Sequence, residues 1–190
     1  EGISKKAKDG PLIVSRFSQT QRPARLPQPL VTSTYQQAAV NRFNMTARHS
    51  MVVAQQLYEG VDLGKLGRMG LITYHRTDSF NLSAQFVNEV TNYLEPKYLQ
   101  VKKYKSRSKN AQEAHEAIRP SGTTFQMPQH TGLSGVELRL YDLIWKRTIA
   151  TQMADAKQTH VAMNIKVDDG LFRATGKRID FPGFFRAYVE

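Results

Sequence analysis

The chain has no cysteine among its 190 residues. Disulfides and thiolate metal sites are thereby excluded, and the composition suits a reducing compartment. No apolar run approaches the roughly 18 residues that a membrane span requires, so no membrane partner is expected. The opening EGISKKAKDG is charged and carries no apolar leader segment, and without an initiator methionine it is expected to begin an excised piece. Acidic residues are also scarce, 16 Asp and Glu against 27 Lys and Arg. There is no D-x-D cluster and no glycine-rich loop of P-loop spacing. Asp168 and Asp169 are adjacent, but DDG is turn chemistry, where Asp is favoured for its own reasons. No metal site and no cofactor are therefore expected within this chain.

What is present is positive charge. The formal balance is +11, which favours a polyanionic partner, nucleic acid before an acidic membrane surface. The basic residues are dispersed through the chain, from Arg16, Arg22 and Arg25 to Lys102, Lys103 and Arg119, rather than gathered in a tail. That dispersal predicts a folded binding surface.

Hydrophobic periodicity divides the chain. LIVSRF (12–17) is β-branched and predicts a strand, and the proline-rich QTQRPARLPQP (19–29) predicts an extended crossing. TSTYQQAAVNRF follows, with Thr34 and Gln37 spaced as a capping box. A second helix is predicted from Thr46 to the stop at Gly60, with Met51, Val53, Ala54, Leu57 and Tyr58 along its apolar side. GVDLGKLGRMG (60–70) predicts a flexible loop, GLITY a short extended segment, and Asn81–Tyr98 a helix capped by Ser83 and closed by Pro96. AQEAHEAIRP is rich in helix formers, and Ser134–Met153 is amphipathic at helical spacing. In THVAMNIKV the period changes to strict alternation, and DDG then LFRATGKR complete a β-hairpin. The reading is α+β: a mainly helical domain over 29–153, inserted into a small antiparallel β domain made of 1–28 and 154–190.

Two segments could carry chemistry. In ITYHRTDS, an extended backbone puts Tyr74 and Arg76 on one side and His75 on the other. A phenol ionises only near pH 10, so it is a poor nucleophile at neutral pH without help. A guanidinium two residues on can fork onto two phosphate oxygens and hold charge that develops in a transition state. The competing reading is a packed tyrosine, with Asp78 or Ser79 closing a turn or capping the next helix. In HEAIRP, His115 and Glu116 begin a zinc-type H-E-x-x-H, but its fifth position is Arg119, and a guanidinium cannot hold a metal. On a helix His115 and Arg119 would share a face as a phosphate grip, with Glu116 as salt-bridge partner or orienter.

Together, ITYHRTDS and AQEAHEAIRPS, preceded by LVTSTYQQAA, resemble the type IA DNA topoisomerases, the bacterial topoisomerase I branch in particular. The order, spacing and flanks agree through nearly the whole chain. Reverse gyrase and topoisomerase III are near alternatives within the family, and a non-catalytic DNA-binding module is the alternative outside it. The resemblance implies part of a toroidal fold, with the helical domain inserted into a β arch. It implies that Tyr74 is the nucleophile and that Arg76 contacts the scissile phosphate. His115 then binds DNA beside it, with Asp78, Glu116 and Arg119 in support. The implied activity is relaxation of negatively supercoiled DNA, without ATP, through a 5′-phosphotyrosine link. The implied partners are single-stranded and negatively supercoiled DNA and the rest of the same polypeptide. Mg²⁺ would be supplied by a TOPRIM domain that has no counterpart here, which leaves the fragment inactive alone. The implied location is cytoplasmic, at the bacterial nucleoid.

Overall fold

The computed structural model describes residues 11–25, 28–104, 115–121, 126–167 and 170–189. In chain order the elements are β1 (Ile13–Ala24), α1 (Thr32–Phe43), α2 (Ala47–Glu59), β2 (Val61–Asp62), β3 (Arg68–Met69), α3 (Ala84–Tyr93), α4 (Gly135–Thr151), β4 (Ala156–Val167) and β5 (Gly170–Phe181). The fold is α+β, and two compact units divide it. One comprises residues 11–25 and 155–183; the other comprises 28–154 and 184–189, so the last residues belong with the helices. No helix among the described residues is long and apolar enough to cross a membrane.

The first unit is one antiparallel sheet in the order β1-β4-β5. β1 does not stop at Phe17; it continues to Ala24 and takes in most of the proline-rich stretch. Pro23 is tolerated there because β1 is an edge strand, where a missing N–H need not break a ladder. β4 and β5 form the predicted hairpin and close on the pair Val167–Gly170, while the Asp168–Asp169 link lies outside the described residues. The alternating Val161, Met163 and Ile165 are only half-buried, because no second layer covers the strand among the described residues.

The second unit holds the main apolar core. α1 packs on α2, and α2 on α4. Leu30, Tyr35, Leu57, Ile118 and Ile144 are fully buried. Tyr35 donates its hydroxyl to the carbonyl of Ser50 at 2.9 Å, the partner that a buried phenol needs. Arg147 is buried as well and spends its guanidinium on the Gln28 carbonyl at 2.9 Å and the Tyr188 hydroxyl at 3.1 Å.

Local signals set most helix ends. Thr46 accepts from the His49 N–H and Ser83 from the Phe86 N–H, as N-caps do, and Gly60 ends α2 at a φ of 120°. α1 departs from its predicted cap. It begins at Thr32, and Thr34 reaches back to accept from the Val31 N–H at 2.9 Å, whereas Gln37 bonds Asn41 one turn on. α3 is shorter than the predicted 81–98, since Leu94 has already left helical geometry before Pro96 opens a single 3₁₀ turn. Residues 60–70 form a small hairpin, β2 against β3, rather than an unstructured loop.

Candidate active site

The backbone around Tyr74 is held by chain segments distant in sequence. Leu71 N–H donates to the Leu57 carbonyl at 2.7 Å, which ties the segment to the end of α2. Gly70 permits this approach: a Cβ there would lie 2.5 Å from the Tyr58 carbonyl oxygen. Thr73 N–H donates to the Arg119 carbonyl at 2.9 Å, and its hydroxyl donates to the Ala117 carbonyl at 2.6 Å while accepting from the Arg119 N–H at 3.0 Å. On the other side, Thr32 donates its hydroxyl to the His75 carbonyl at 2.9 Å and accepts from the Thr77 N–H at the same distance. Thr32 N–H also donates to the Thr77 carbonyl at 3.0 Å. All three recognised segments therefore meet at residue 74.

The clamped segment alternates. Tyr74, Arg76 and Asp78 are exposed, whereas His75, Thr77 and Ser79 are buried. This is the two-residue period of an extended chain, and it puts Tyr74 and Arg76 on the open side together. Tyr74 is 37% exposed, and its hydroxyl makes no hydrogen bond among the described residues. Three rings seat it: Tyr58 of α2 at 5.3 Å in an edge-on arrangement, His75 at 5.6 Å and His115 at 5.6 Å. Such contacts fix the plane of the phenol and leave its polar end outward.

His75 forms the floor of this seat. It is fully buried, and neither ring nitrogen has a hydrogen-bond partner among the described residues. Burial pushes its pKa down, the Arg76 guanidinium adds to the effect, and Glu59 opposes both. The imidazole is thus held neutral beneath the phenol.

HEAIRP takes a different form from the predicted helix. Residues 115–121 are extended and pair by single bridges, Leu30 with Ile118 and Ile72 with Pro120. Pro120 disfavours helical geometry at Arg119, and the bonds to Thr73 and Leu30 complete the override of propensity. His115 and Arg119 consequently share no helix face. Arg119 is instead forked onto Glu116, at 2.5 and 3.0 Å, and donates to the Pro120 carbonyl at 2.8 Å, with its guanidinium over the Phe86 ring at 4.6 Å. Glu116 also accepts from the Ser83 N–H at 3.1 Å, so the pair links this segment to the start of α3. Burial works to raise the Glu116 carboxyl, but the hydrogen bond and charge of Arg119, helped by Ser83, outweigh it and hold the group below its usual range.

No group of three His, Cys, Asp or Glu side chains able to hold a metal occurs among the described residues. The acidic Mg²⁺ site that the resemblance assigns to a TOPRIM domain has no counterpart among the described residues. The residues that the sequence did not single out are the clamps, Thr32 and Thr73, and the ring partner Tyr58. Tyr58 had registered only as part of an apolar stripe.

The whole chain, residues 1–190, matches a family model described as DNA topoisomerase. It is similar to DNA topoisomerase 1 of Synechococcus elongatus, 53% identical over 180 residues, covering 90% of this chain and 19% of that protein. It is equally similar to DNA topoisomerase 1 of a Synechocystis species, 53% identical over 168 residues, covering 85% of this chain and 18% of the relative. Among solved structures it resembles full-length topoisomerase I from Thermotoga maritima, with a TM-score of 0.80 at 31% identity, over 98% of this chain and 31% of that one. The chain thus spans about a fifth of the length of the curated relatives it matches.

Proposed function

Since the chain belongs to the bacterial type IA DNA topoisomerase family, we propose that it carries the strand-cleaving residues of an enzyme that relaxes negatively supercoiled DNA, with Tyr74 as nucleophile. The reading rests on one observation above all: three separate segments of the chain are bonded together around an exposed, ring-seated phenol beside an exposed arginine.

In the proposed reaction the Tyr74 oxygen attacks a backbone phosphorus. The aryl O–P bond forms as the bond to the 3′ oxygen breaks, leaving a 5′-phosphotyrosine and a 3′-hydroxyl. The proton lost by the phenol balances the one gained by the leaving oxygen. Reversal after strand passage restores the phosphodiester, so one ester replaces another and no ATP is consumed. Arg76 holds the charge on the phosphate oxygens as the transition state forms. His115, whose ring contacts that of Tyr74, is assigned to bind the strand beside the scissile phosphate. Asp78, exposed on the same side, supports strand placement, and the Glu116–Arg119 pair braces the segment from behind. The sheet unit then corresponds to the arch and the helical unit, which takes in 184–189 rather than ending at 153, to the tyrosine-bearing domain. Mg²⁺ and the remaining catalytic groups come from a TOPRIM domain of the same polypeptide. A DNA substrate implies action at the bacterial nucleoid, and the chain alone is expected to leave supercoils unrelaxed.

The test joins this chain to its TOPRIM-containing partner and looks for a covalent DNA adduct by mass spectrometry. The adduct is expected on the peptide holding Tyr74 and is expected to vanish in Tyr74→Phe. An adduct that persists in the Phe variant removes Tyr74 from the nucleophile role. Relaxation of plasmid by the 190-residue chain alone would overturn the division of labour.

A further inference from the structure

The sheet β1-β4-β5 has two faces, and its register assigns residues to them. Directly opposed residues of an antiparallel ladder share a face. One row of the first face holds Arg16, Asn164 and Arg173; two rows on come Thr20, His160 and Lys177, and Arg22 follows on the next row. These four cations stand on one face together with Lys166, which pairs with Ile13 and Leu171 on the row before Arg16. From Arg16 to Arg22 they span six residue steps of β1, or roughly 20 Å at the usual strand rise of about 3.3 Å per residue. The opposite face opposes Val14 to Ile165 and Phe172, and Phe17 to Met163.

The cationic face is concave. One shallow cavity of about 410 Å³ is lined by Arg22, Arg173, Lys177 and His160, with the hydroxyls of Ser18, Thr20 and Thr175 between them. A second, of about 210 Å³, shares Arg173 with the first and adds Arg16 and Asn164. Neither lining contains an Asp or a Glu. Arg16, Arg22, Arg173 and Lys177 are all exposed, and none has an ion-pair partner among the described residues. Arg178 of the same sheet shows the contrast, since it is paired to Asp180 at 2.8 Å. Unpaired guanidinium and ammonium groups over a floor of hydroxyl donors match the oxygens of phosphates. No Phe, Tyr or Trp lines either cavity, so the large stacking platform that grips unpaired bases is lacking.

We infer that this face of the sheet is a second DNA-binding surface, which holds the phosphate backbone through Arg16, Arg22, Arg173 and Lys177 without reading base sequence. It rests on the proposal that the chain acts on DNA, but not on the identity of the nucleophile. At 3.4 Å per nucleotide along a strand, a surface of roughly 20 Å faces about six base-pair steps.

The experiment measures binding of a labelled duplex of about 20 base pairs to the 190-residue chain by fluorescence anisotropy across a salt titration. The double variant Arg173→Gln, Lys177→Gln is expected to weaken binding on the order of 10-fold at about 0.1 M salt. It should also flatten the slope of log K against log salt by about 1.8, or 0.9 per lost phosphate contact. Arg178→Gln on the other face removes one charge as well, and its slope is expected to stay within about 0.3 of the parent chain. The exchange Arg173→Lys, Lys177→Arg should preserve the slope. A double variant with an unchanged slope overturns the inference while the DNA reading stands. Failure of the parent chain to bind duplex even at low salt also overturns the inference, and failure to bind a single strand as well overturns the DNA reading itself. Competition by poly-glutamate as effective as that of DNA marks a generic polyanion surface and also overturns the inference.

Discussion

The two units are built on opposite economies of surface. In the helical unit Leu30, Leu57, Ile118 and Ile144 are sealed from solvent, and threonine hydroxyls tie the loops between them. In the sheet unit every residue of β5 from Leu171 to Asp180 is exposed, and β1 is exposed from Ile13 to Pro23. One unit is held by burial and buried polar bonds, the other by its ladder and cross-strand pairs. The difference divides the work. A nucleophile needs one fixed orientation, which a clamped segment over a dense core supplies, whereas a long polyanion needs open area, which an uncovered sheet supplies.

The largest effect that sharpens this contrast comes from the helical core. Ile144→Ala is expected to destabilise the unit by about 2–5 kcal/mol, through lost transfer energy and the cavity left behind. The one tryptophan of the chain, Trp145, neighbours that position in α4 and is buried. Urea unfolding followed by its fluorescence therefore reports this unit. A midpoint unmoved by the substitution would mean that burial is not what holds the helices together.

Next comes the clamp. Thr32→Val keeps the shape but removes the bond to the His75 carbonyl and the acceptor for the Thr77 N–H. Groups left unpaired cost about 1–3 kcal/mol. Adduct formation in the joined enzyme should fall as well, since the Tyr74 segment loses the Thr32 hydroxyl from its anchors. A variant that lost stability but kept its full cleavage rate would separate the clamp from the chemistry.

The helix start at Thr46, the cap at Ser83, the stop at Gly60 and the hairpin alternation were readable in the sequence because each is decided within a few residues. The Thr32 and Thr73 clamps were not, since their partners lie more than 40 residues away and a threonine carries no periodic signal. HEAIRP was misjudged as a helix because Ala and Glu favour one, while the pairing with Leu30 and Ile72 that overrides them is tertiary. Tyr74 and Arg76 were legible as a pair through period-two geometry alone. The ring seat under Tyr74 needed α2 to be folded first. The half-buried Val161, Met163 and Ile165 mark the opposite limit, because alternation predicts a face and not what covers it.

Acidification should produce a smaller effect, again in the helical unit. His75 titrates below its ordinary value, because burial and then Arg76 oppose its charge against a weaker pull from Glu59. With the folded pKa below the unfolded reference of about 6.5, the unfolded state binds more protons between the two values. The stability that goes with a neutral His75 is complete above that reference and is lost as pH falls through the folded value. The Trp145-detected urea midpoint should therefore drop as pH is lowered from neutrality, and His75→Met should flatten the dependence. The groups around the imidazole are the rings of Tyr58 and Tyr74, with Arg76 and Glu59 nearby. Equal pH slopes in parent and variant would assign the acid sensitivity elsewhere, with Glu116 the next group to lose its favoured charge.

The smallest effect belongs to the sheet. Phe17 is 59% exposed and opposes Met163 across the ladder, so its ring contributes a cross-strand contact and little burial. Phe17→Ser is expected to change stability by no more than about 0.5 kcal/mol, the range for surface positions. Amide exchange of β1 and β4 reads this unit directly, since their N–H groups are held by the ladder rather than by the ring. Near-parent protection in the variant, beside a large midpoint loss for Ile144→Ala, would place stability in the backbone of one unit and the side chains of the other. If protection instead collapsed along β1, the apolar rows would be holding the sheet together. The sheet would then be a small core open on one side, and its cationic face would owe its shape to the rings behind it.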